Sequence, residues 1–376
     1  MVKCDLVVIG AGVVGCAIAR HLKTKHPSLE IVVLEKNSVV ASETSQLNSG
    51  VVHSGVHEDP RFLKSRLAME GSRLAIAFAQ ANNVPLVKTG MLAVAGHKSL
   101  LGGLLREWKS FARMVSNAKE KGISYEFVFS KKKIRALAPD LHALAAVHIP
   151  DVWVLDSKVF VESLAADAIT SGAHFVFNAP VQLIVPKITE WGVITSKDTY
   201  FAKMVINAAG LYADDMAHLA GFRGYKIYPW RGEYCEIIGE KAKRVKHLIY
   251  MVTPPKNSGK GIHFGPRPDG RLFIGPNARP VPSKNYYTED KTPVEDFLEV
   301  GQRFYPDLQL EDLRWAYSGI RPKLTPDATS SDFSIKLDSD SPPFVNIIGI
   351  ESPGLTASMA IAEYVEGLLK SQLNSA

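Results

Sequence analysis

The chain has 376 residues, 46% hydrophobic and 22% charged, with a net charge of +6 and a pI near 9.0. That balance suits a globular protein with more than one core and excludes disordered and fibrous classes, and no apolar run is long enough to span a bilayer. Cys4, Cys16 and Cys235 are too few and too scattered for a disulfide framework or a metal site, so no metal is expected and a reducing, cytoplasmic setting is.

The first 36 residues read strand, glycine turn, helix, strand, acid. Residues 6–9 are apolar and Gly10-Ala11-Gly12-Val13-Val14-Gly15 follows at once, a G-x-G-x-x-G pattern. A helix is predicted from 13 to about 25, and a second apolar run, 31–34, ends in Glu35. Each part has a job in dinucleotide binding. Gly10 permits the tight turn, Gly12 lets backbone approach a pyrophosphate, and Gly15 lets the helix pack close to the sheet. The helix amino terminus offers unpaired N–H groups and a positive dipole end to phosphates, and Glu35 can accept from ribose hydroxyls. Glycines within the apolar stretch, and a following Arg20-His21-Leu22-Lys23 without a small-residue cleavage site, argue against a signal peptide.

Residues 42–50 are small and polar, where a nicotinamide-dependent domain would give its next helix and strand. Such a loop can lie along an extended flavin dinucleotide. A helix is predicted over 60–82 with Pro60 in its first turn. Residues 84–95 read as extended, 100–121 as a helix ending at Gly122, 131–137 as a short helix stopped by Pro139, and 157–171 as a helix ending at Gly172. Strands follow at 174–177 and 181–185. Residues 205–214 read as a buried strand, a glycine turn at Gly210 and a helix. From 225 to about 315 the pattern becomes short alternating strands, at 231–238, 247–252, 261–266 and 271–275, which suggests a mixed or antiparallel sheet. A strand at 344–350, the turn Glu351-Ser352-Pro353-Gly354 and a helix over 355–369 close the chain. The densest basic runs, 131–133 and 241–246, have no nucleic-acid motif around them and are expected to be solvated faces, so no nucleic-acid partner is expected. The basic balance suits an anionic cofactor, an acidic substrate or peripheral contact with an anionic membrane.

The segments 8–15 with Glu35-Lys36, 47–56, Phe62-Leu63-Lys64, 228–234, 247–250, 261–264, 274–278 and 318–322 together resemble the D-amino-acid-oxidase (glycine/sarcosine oxidase-like) superfamily of FAD enzymes, and within it the L-2-hydroxyglutarate dehydrogenases and oxidases. The resemblance implies an α/β (α+β overall) architecture. A Rossmann-like FAD domain would be discontinuous, over 1–85, 140–220 and 318–376, with a mixed-sheet substrate domain over 86–139 and 221–317. It also implies an FAD-dependent dehydrogenase or oxidase that takes a small 2-hydroxy acid to the 2-oxo acid. A small amino acid (glycine, sarcosine or a D-amino acid) and glycerol 3-phosphate are the alternatives, with oxygen or a quinone as acceptor.

Cofactor contacts are expected from Gly10, Gly12, Gly15, Glu35, Lys36, Thr44, Ser45, Gly50, Val51, Val181, Gly210, Gly319, Gly354, Leu355 and Thr356. The turn at 351–354 would aim backbone N–H groups at the flavin ring. Arg321 and Arg231 are the expected carboxylate forks, since a guanidinium matches a carboxylate in two bonds. Tyr250, His57 and Lys323 are expected as polar helpers. His53 and His263 are the expected bases, because a histidine can take a hydroxyl proton near neutral pH.

Overall fold

The computed structural model describes residues 1–95, 101–252 and 261–373, the side chains of 101–106 excepted. Its first sheet grows from the amino-terminal unit. Strand β1 (Val2–Ile9) leads through Gly10–Gly12 into helix α1 (Val13–Lys25) and back to strand β2 (Ile31–Leu34). β1 lies between β2 and strand Thr199–Asn207, both parallel to it. His174–Val176 extends the parallel run beyond β2, and Pro343–Ile348 extends it beyond the later half of Thr199–Asn207. Two antiparallel strands, Val181–Pro186 and Trp191–Thr195, form a meander on the earlier half of Thr199–Asn207. β2 reads as four consecutive buried residues, as expected of a strand covered on both faces.

One face is covered by α1, helix α2 (Leu63–Ala81), the helix Ser157–Thr170 and helix α3 (Gly354–Leu368). Leu6, Val8, Ile18, Phe160, Ile206, Val345 and Ile361 meet in that core. The other face packs Val7, Ile9, Trp191, Val193 and Phe344. Gly10 holds φ at +102°, which a side-chained residue rarely adopts. A Cβ on Gly15 would sit 1.9 Å from the Gly10 carbonyl oxygen, so α1 approaches the turn that closely only as glycine.

The second sheet is mostly antiparallel. Its longest pairing joins strand β3 (Tyr228–Ile237) to strand β4 (Leu313–Lys323), with Trp230 opposite Arg321 and Gly232 opposite Gly319. From the other edge of β3 the order continues through Leu272–Gly275, His263–Pro266, Leu248–Met251, Met91–Ala95 and Ala145–Ile149 to Glu126–Val128. A small third sheet joins Val51–Val52, Trp153–Leu155 and Leu86–Lys88.

Several expectations change. α2 begins at Leu63, not at Pro60, because the Asp332 carboxylate, from a loop 269 residues away, accepts from the Leu63 and Lys64 N–H groups at 2.6 and 2.9 Å. The extended run at 84–95 breaks at Gly90 (φ +60°) into strands of two different sheets. Residues 145–149 and 318–323, expected in the cofactor domain, hydrogen-bond into the second sheet. The helix expected from 100 is described from Leu101 to Glu120, residue 100 lying outside the described residues. Within the basic run 241–246, Lys241 meets Asp312, Lys243 meets Glu240, and Arg244 meets Asp140 and Asp307. All three cysteines are buried thiols, and burial pushes Cys4 and Cys235 up to about 12. Among the described residues no helix is long and apolar enough to cross a membrane.

The loop 42–50 bridges the sheets. Thr44 Oγ1 donates to the Ile320 carbonyl at 2.9 Å, and the Tyr317 hydroxyl and an Arg267 guanidinium nitrogen both donate to the Asn48 carbonyl. A Cβ on Gly319 would lie 1.9 Å from the Leu47 carbonyl oxygen. Gly319→Ala should therefore push the loop off β4 and lower stability by about 1–3 kcal/mol, as overpacking does elsewhere. The drop should be visible as a lower urea midpoint with an unchanged slope.

Candidate active site

A cavity of about 360 Å³ lies between the carboxyl ends of the parallel strands and the face of the second sheet, the usual place for a ligand in an open α/β sheet. Two helix amino termini open onto it. Gly12 caps α1 and Pro353 caps α3, neither with a side-chain bond to the first turn, and neither first turn carries an acidic residue. Each end presents about half a positive elementary charge and unpaired N–H groups.

Beside the first helix, Glu35 is 8% exposed; one carboxylate oxygen accepts from Ala11 N–H at 2.8 Å and the other from Asn37 N–H at 2.9 Å. Ser45 Oγ accepts from Val13 N–H at 2.9 Å and would be 3.0 Å from a Cβ on Gly12, so nothing larger than glycine fits there without displacing it. At the second helix, Thr356 Oγ1 accepts from His53 N–H at 3.1 Å and donates to the Val51 carbonyl at 3.2 Å. This clips the His53 loop to the start of α3. His53 Nε2 then lies 3.4 Å from Ser352 Oγ.

Of the expected cofactor residues, Gly12, Thr44, Ser45, Val51, Gly210, Gly319, Gly354, Leu355 and Thr356 line the cavity. Gly10, Gly15, Glu35, Lys36, Gly50 and Val181 do not. Lys36 is paired with Glu43 and lies 4.5 Å from the Tyr212 ring. Gly50 packs beneath the Leu155 carbonyl. Val181 stands two residues past Ala179, whose N–H donates to the Glu35 carbonyl.

Among the expected substrate residues His53, His57, Tyr250, His263, Arg321 and Lys323 line the cavity, and Arg231 does not. The reason is strand alternation. Trp230, Gly232 and Tyr234 of β3 face the cavity, so Arg231 and Glu233 face the other way, both fully buried. Arg231 donates to the carbonyls of Tyr286, Glu289 and Asp290 and lies 3.3 Å from Glu233. It anchors the segment after residue 280 and has no path to a substrate. The same alternation on β4 sends Gly319, Arg321 and Lys323 to the cavity. Arg321 makes only two 3.3 Å bonds, to the Asn277 carbonyl, and has no ion pair among the described residues.

His263 stacks on Tyr250 at 4.3 Å between centroids. Burial pushes its imidazole down to about 3, with Arg267, Arg321 and His57 adding to the fall and the Gly261 backbone opposing it. It is neutral across the physiological range. Burial also raises the Tyr250 phenol, which stays protonated, and lowers Lys323, whose ammonium donates to the Thr329 carbonyl at 2.8 Å. Sequence reading missed Glu58 at the cavity and Lys64 beside it, and took from the 351–354 turn only its backbone, not the Glu351 and Ser352 side chains. Lys64 had a readable signal: it stands in helical register with Leu67, Ala68, Gly71 and Ala75, the buried stripe of α2.

Two helix ends at one cavity, across from a sheet face that carries Arg321 and Lys323, are the frame of a flavin-dependent oxidoreductase. The chain belongs to the FAD dependent oxidoreductase (DAO) family, whose model matches residues 5–368. It is 30% identical to a glycerol 3-phosphate dehydrogenase of Caloramator mitchellensis, over 97% of this chain and 74% of that protein. It is 29% identical to a mitochondrial L-2-hydroxyglutarate dehydrogenase of Caenorhabditis elegans, over 96% of this chain and 92% of that protein. Among solved structures it is similar to the L-alpha-glycerophosphate oxidase of Mycoplasma pneumoniae with FAD bound, at a TM-score of 0.88 and 27% identity, covering 98% of this chain and 95% of that one. The cofactor is FAD, and the residues present fit it. The α1 amino terminus and Gly12 suit the pyrophosphate and the α3 amino terminus the electron-rich edge of the ring, while Glu35 stands behind the first turn, accepting from Ala11 N–H.

Two outcomes test the site. A Cβ on Gly232 would sit 2.8 Å from an Arg321 guanidinium nitrogen and 3.0 Å from Pro276 Cβ. Gly232→Ala should therefore swing Arg321 away and raise KM while leaving FAD content unchanged. His263 takes its proton near 6.5 when unfolded and only near 3 when folded. The unfolded state binds more protons in that window, so stability falls as pH drops through it. In His263→Gln the fall in Tm between pH 7 and 4 should be shallower than in the parent.

Proposed function

We propose that this enzyme oxidises a small 2-hydroxy acid of the L-2-hydroxyglutarate type to its 2-oxo acid. The observation that carries this reading is Arg321. It is a guanidinium on the cavity wall, given room by Gly232 and making no ion pair among the described residues. A planar fork of this kind suits a substrate carboxylate. The similarity to L-2-hydroxyglutarate dehydrogenases along almost the whole of both chains supports the same reading.

Bound FAD would supply the two-electron acceptor for the hydride of the substrate carbon. Arg321 would hold the carboxylate and turn the one hydrogen of the hydroxyl-bearing carbon toward the ring, and the Tyr250 phenol and Lys323 would complete the polar wall. His53, clipped by Thr356 to the amino end of α3, would take the hydroxyl proton on Nε2 and share it with Ser352 Oγ. The α3 amino terminus would favour the negative charge that builds on the ring edge as the substrate is oxidised. A second reading, oxidation of glycerol 3-phosphate, is favoured by the similarity to the Mycoplasma oxidase and the Caloramator dehydrogenase. The same cations would then hold a phosphate.

Anaerobic mixing with each substrate decides between them. L-2-hydroxyglutarate should bleach the flavin band fastest. Bleaching by glycerol 3-phosphate or glycine alone would overturn the proposal. Arg321→Met should lose about 1.5–3 kcal/mol of substrate binding, a rise in KM on the order of 10- to 150-fold, with smaller loss for uncharged alcohols. His53→Asn should lower kcat on the order of 10²- to 10⁴-fold with FAD content unchanged.

A further inference from the structure

Lys64 has no part in the reaction just described, yet it is among the most completely buried side chains of the chain, at 1% exposure. Its ammonium donates to Ser330 Oγ at 2.6 Å. It lies 3.8 Å from Glu58 Oε2 and 3.8 Å from Glu351 Oε1, both carboxylates themselves largely buried. Glu58, Ser330 and Glu351 all line the cavity. They come from three separate segments: the loop after strand Val51–Val52, the loop after β4, and the turn into α3. One buried cation thus ties three walls together. Asp332, two residues from Ser330, caps the same turn of α2 and holds that loop in place.

The charges at the cavity can be counted. Among the described residues, the lining Arg321 and Lys323 and the adjoining Lys64 are positive and Glu58 and Glu351 negative, which leaves one positive charge over. Two buried carboxylates without a counter-ion are costly, and any mobile cation in reach is drawn to them. Arg321, held only by the Asn277 carbonyl, and Lys323, held by the Thr329 carbonyl, share this cavity. We propose that Lys64 is a positioning residue that sets the charge balance of the substrate cavity, neutralising Glu58 and Glu351 so that Arg321 is kept for the anionic group of the substrate. The proposal rests on the reading of this cavity as the site of an anionic substrate.

The test uses the FAD-loaded enzyme and two anions that carry no oxidisable hydroxyl, succinate and inorganic phosphate. Their binding is read from the perturbation of flavin absorbance. Lys64→Met should weaken both by about tenfold or more and raise KM more than it lowers kcat. Lys64→Arg should stay within a few-fold of the parent. Adding Glu58→Gln to Lys64→Met restores the net charge and should recover most of the lost affinity. Unchanged anion affinity in Lys64→Met overturns the proposal, as does a folded, flavin-replete double variant no better than the single one. Where Lys64→Met does not fold, Glu58→Gln alone decides: it adds one net positive charge and should tighten both anions several-fold, and no change or weakening overturns the proposal. The substrate assignment fails separately. If the parent is bleached by glycerol 3-phosphate and not by a 2-hydroxy acid, the order of the variants with succinate and phosphate still stands or falls by itself.

Discussion

Two helices aim their amino termini at the same cavity, with Val13 N–H held by Ser45 Oγ and Gly354 N–H by the Glu351 carbonyl, and the rest of the site is arranged around that fact. Water or a side chain ordinarily satisfies the first N–H groups of a helix. Here Gly12 has no side chain to offer and Pro353 none that can accept. The two ends are held by different means. α1 is placed by the close contact of Gly15 with the Gly10 carbonyl. α3 is placed by packing on α2 and by Thr356, which grips the strand and loop carrying His53. A ligand spanning the cavity meets positive potential at both ends, which suits a dinucleotide with a pyrophosphate near one end and a ring that becomes anionic at the other.

The opposite wall owes its chemistry to the register of two strands. β3 and β4 pair along their whole length, so alternate residues of each face the cavity together. Trp230, Gly232 and Tyr234 stand with Gly319, Arg321 and Lys323. The intervening residues of β3 build a separate buried network, in which Glu233 meets Arg231, Arg279 and Thr292, whereas Ile320 and Pro322 of β4 also reach the cavity. A shift of one residue would exchange Arg321 for Arg231, whose guanidinium already donates to three backbone carbonyls. The loop 42–50 ties this wall to the first sheet, since Thr44 and Asn48 bond to it and Leu47 packs against Gly319. The loop and the strand that line the cavity from its two sides are therefore placed by the same contact.

The family and the cofactor were legible because their signals are short and contiguous. A glycine turn, a helix and an acid twenty residues on are all specified by neighbours in the chain. The ends of elements were less legible where a distant group decided them. Asp332 starts α2 three residues later than Pro60 suggested. Gly90 divides one extended run between two sheets. The same limit applied to the histidines. His53 and His263 look equivalent as letters, but burial against Tyr250 leaves His263 neutral and weakly basic, while Thr356 and Ser352 hold His53 at the cavity.

By itself the sequence determined the βαβ unit, its glycine turn and terminal acid, the closing strand and helix, and an arginine in the Ser318–Pro322 segment suited to a carboxylate. Only the tertiary structure decided that Arg321 faces the cavity while Arg231 is locked behind it, that residues 145–149 and 318–323 join the second sheet, and that Lys64 sits between two carboxylates. The division has a physical cause. Periodicity and turn chemistry act over a few residues. The face a strand presents and the counter-ion a buried charge finds depend on partners tens to hundreds of positions away, whose register no local pattern encodes.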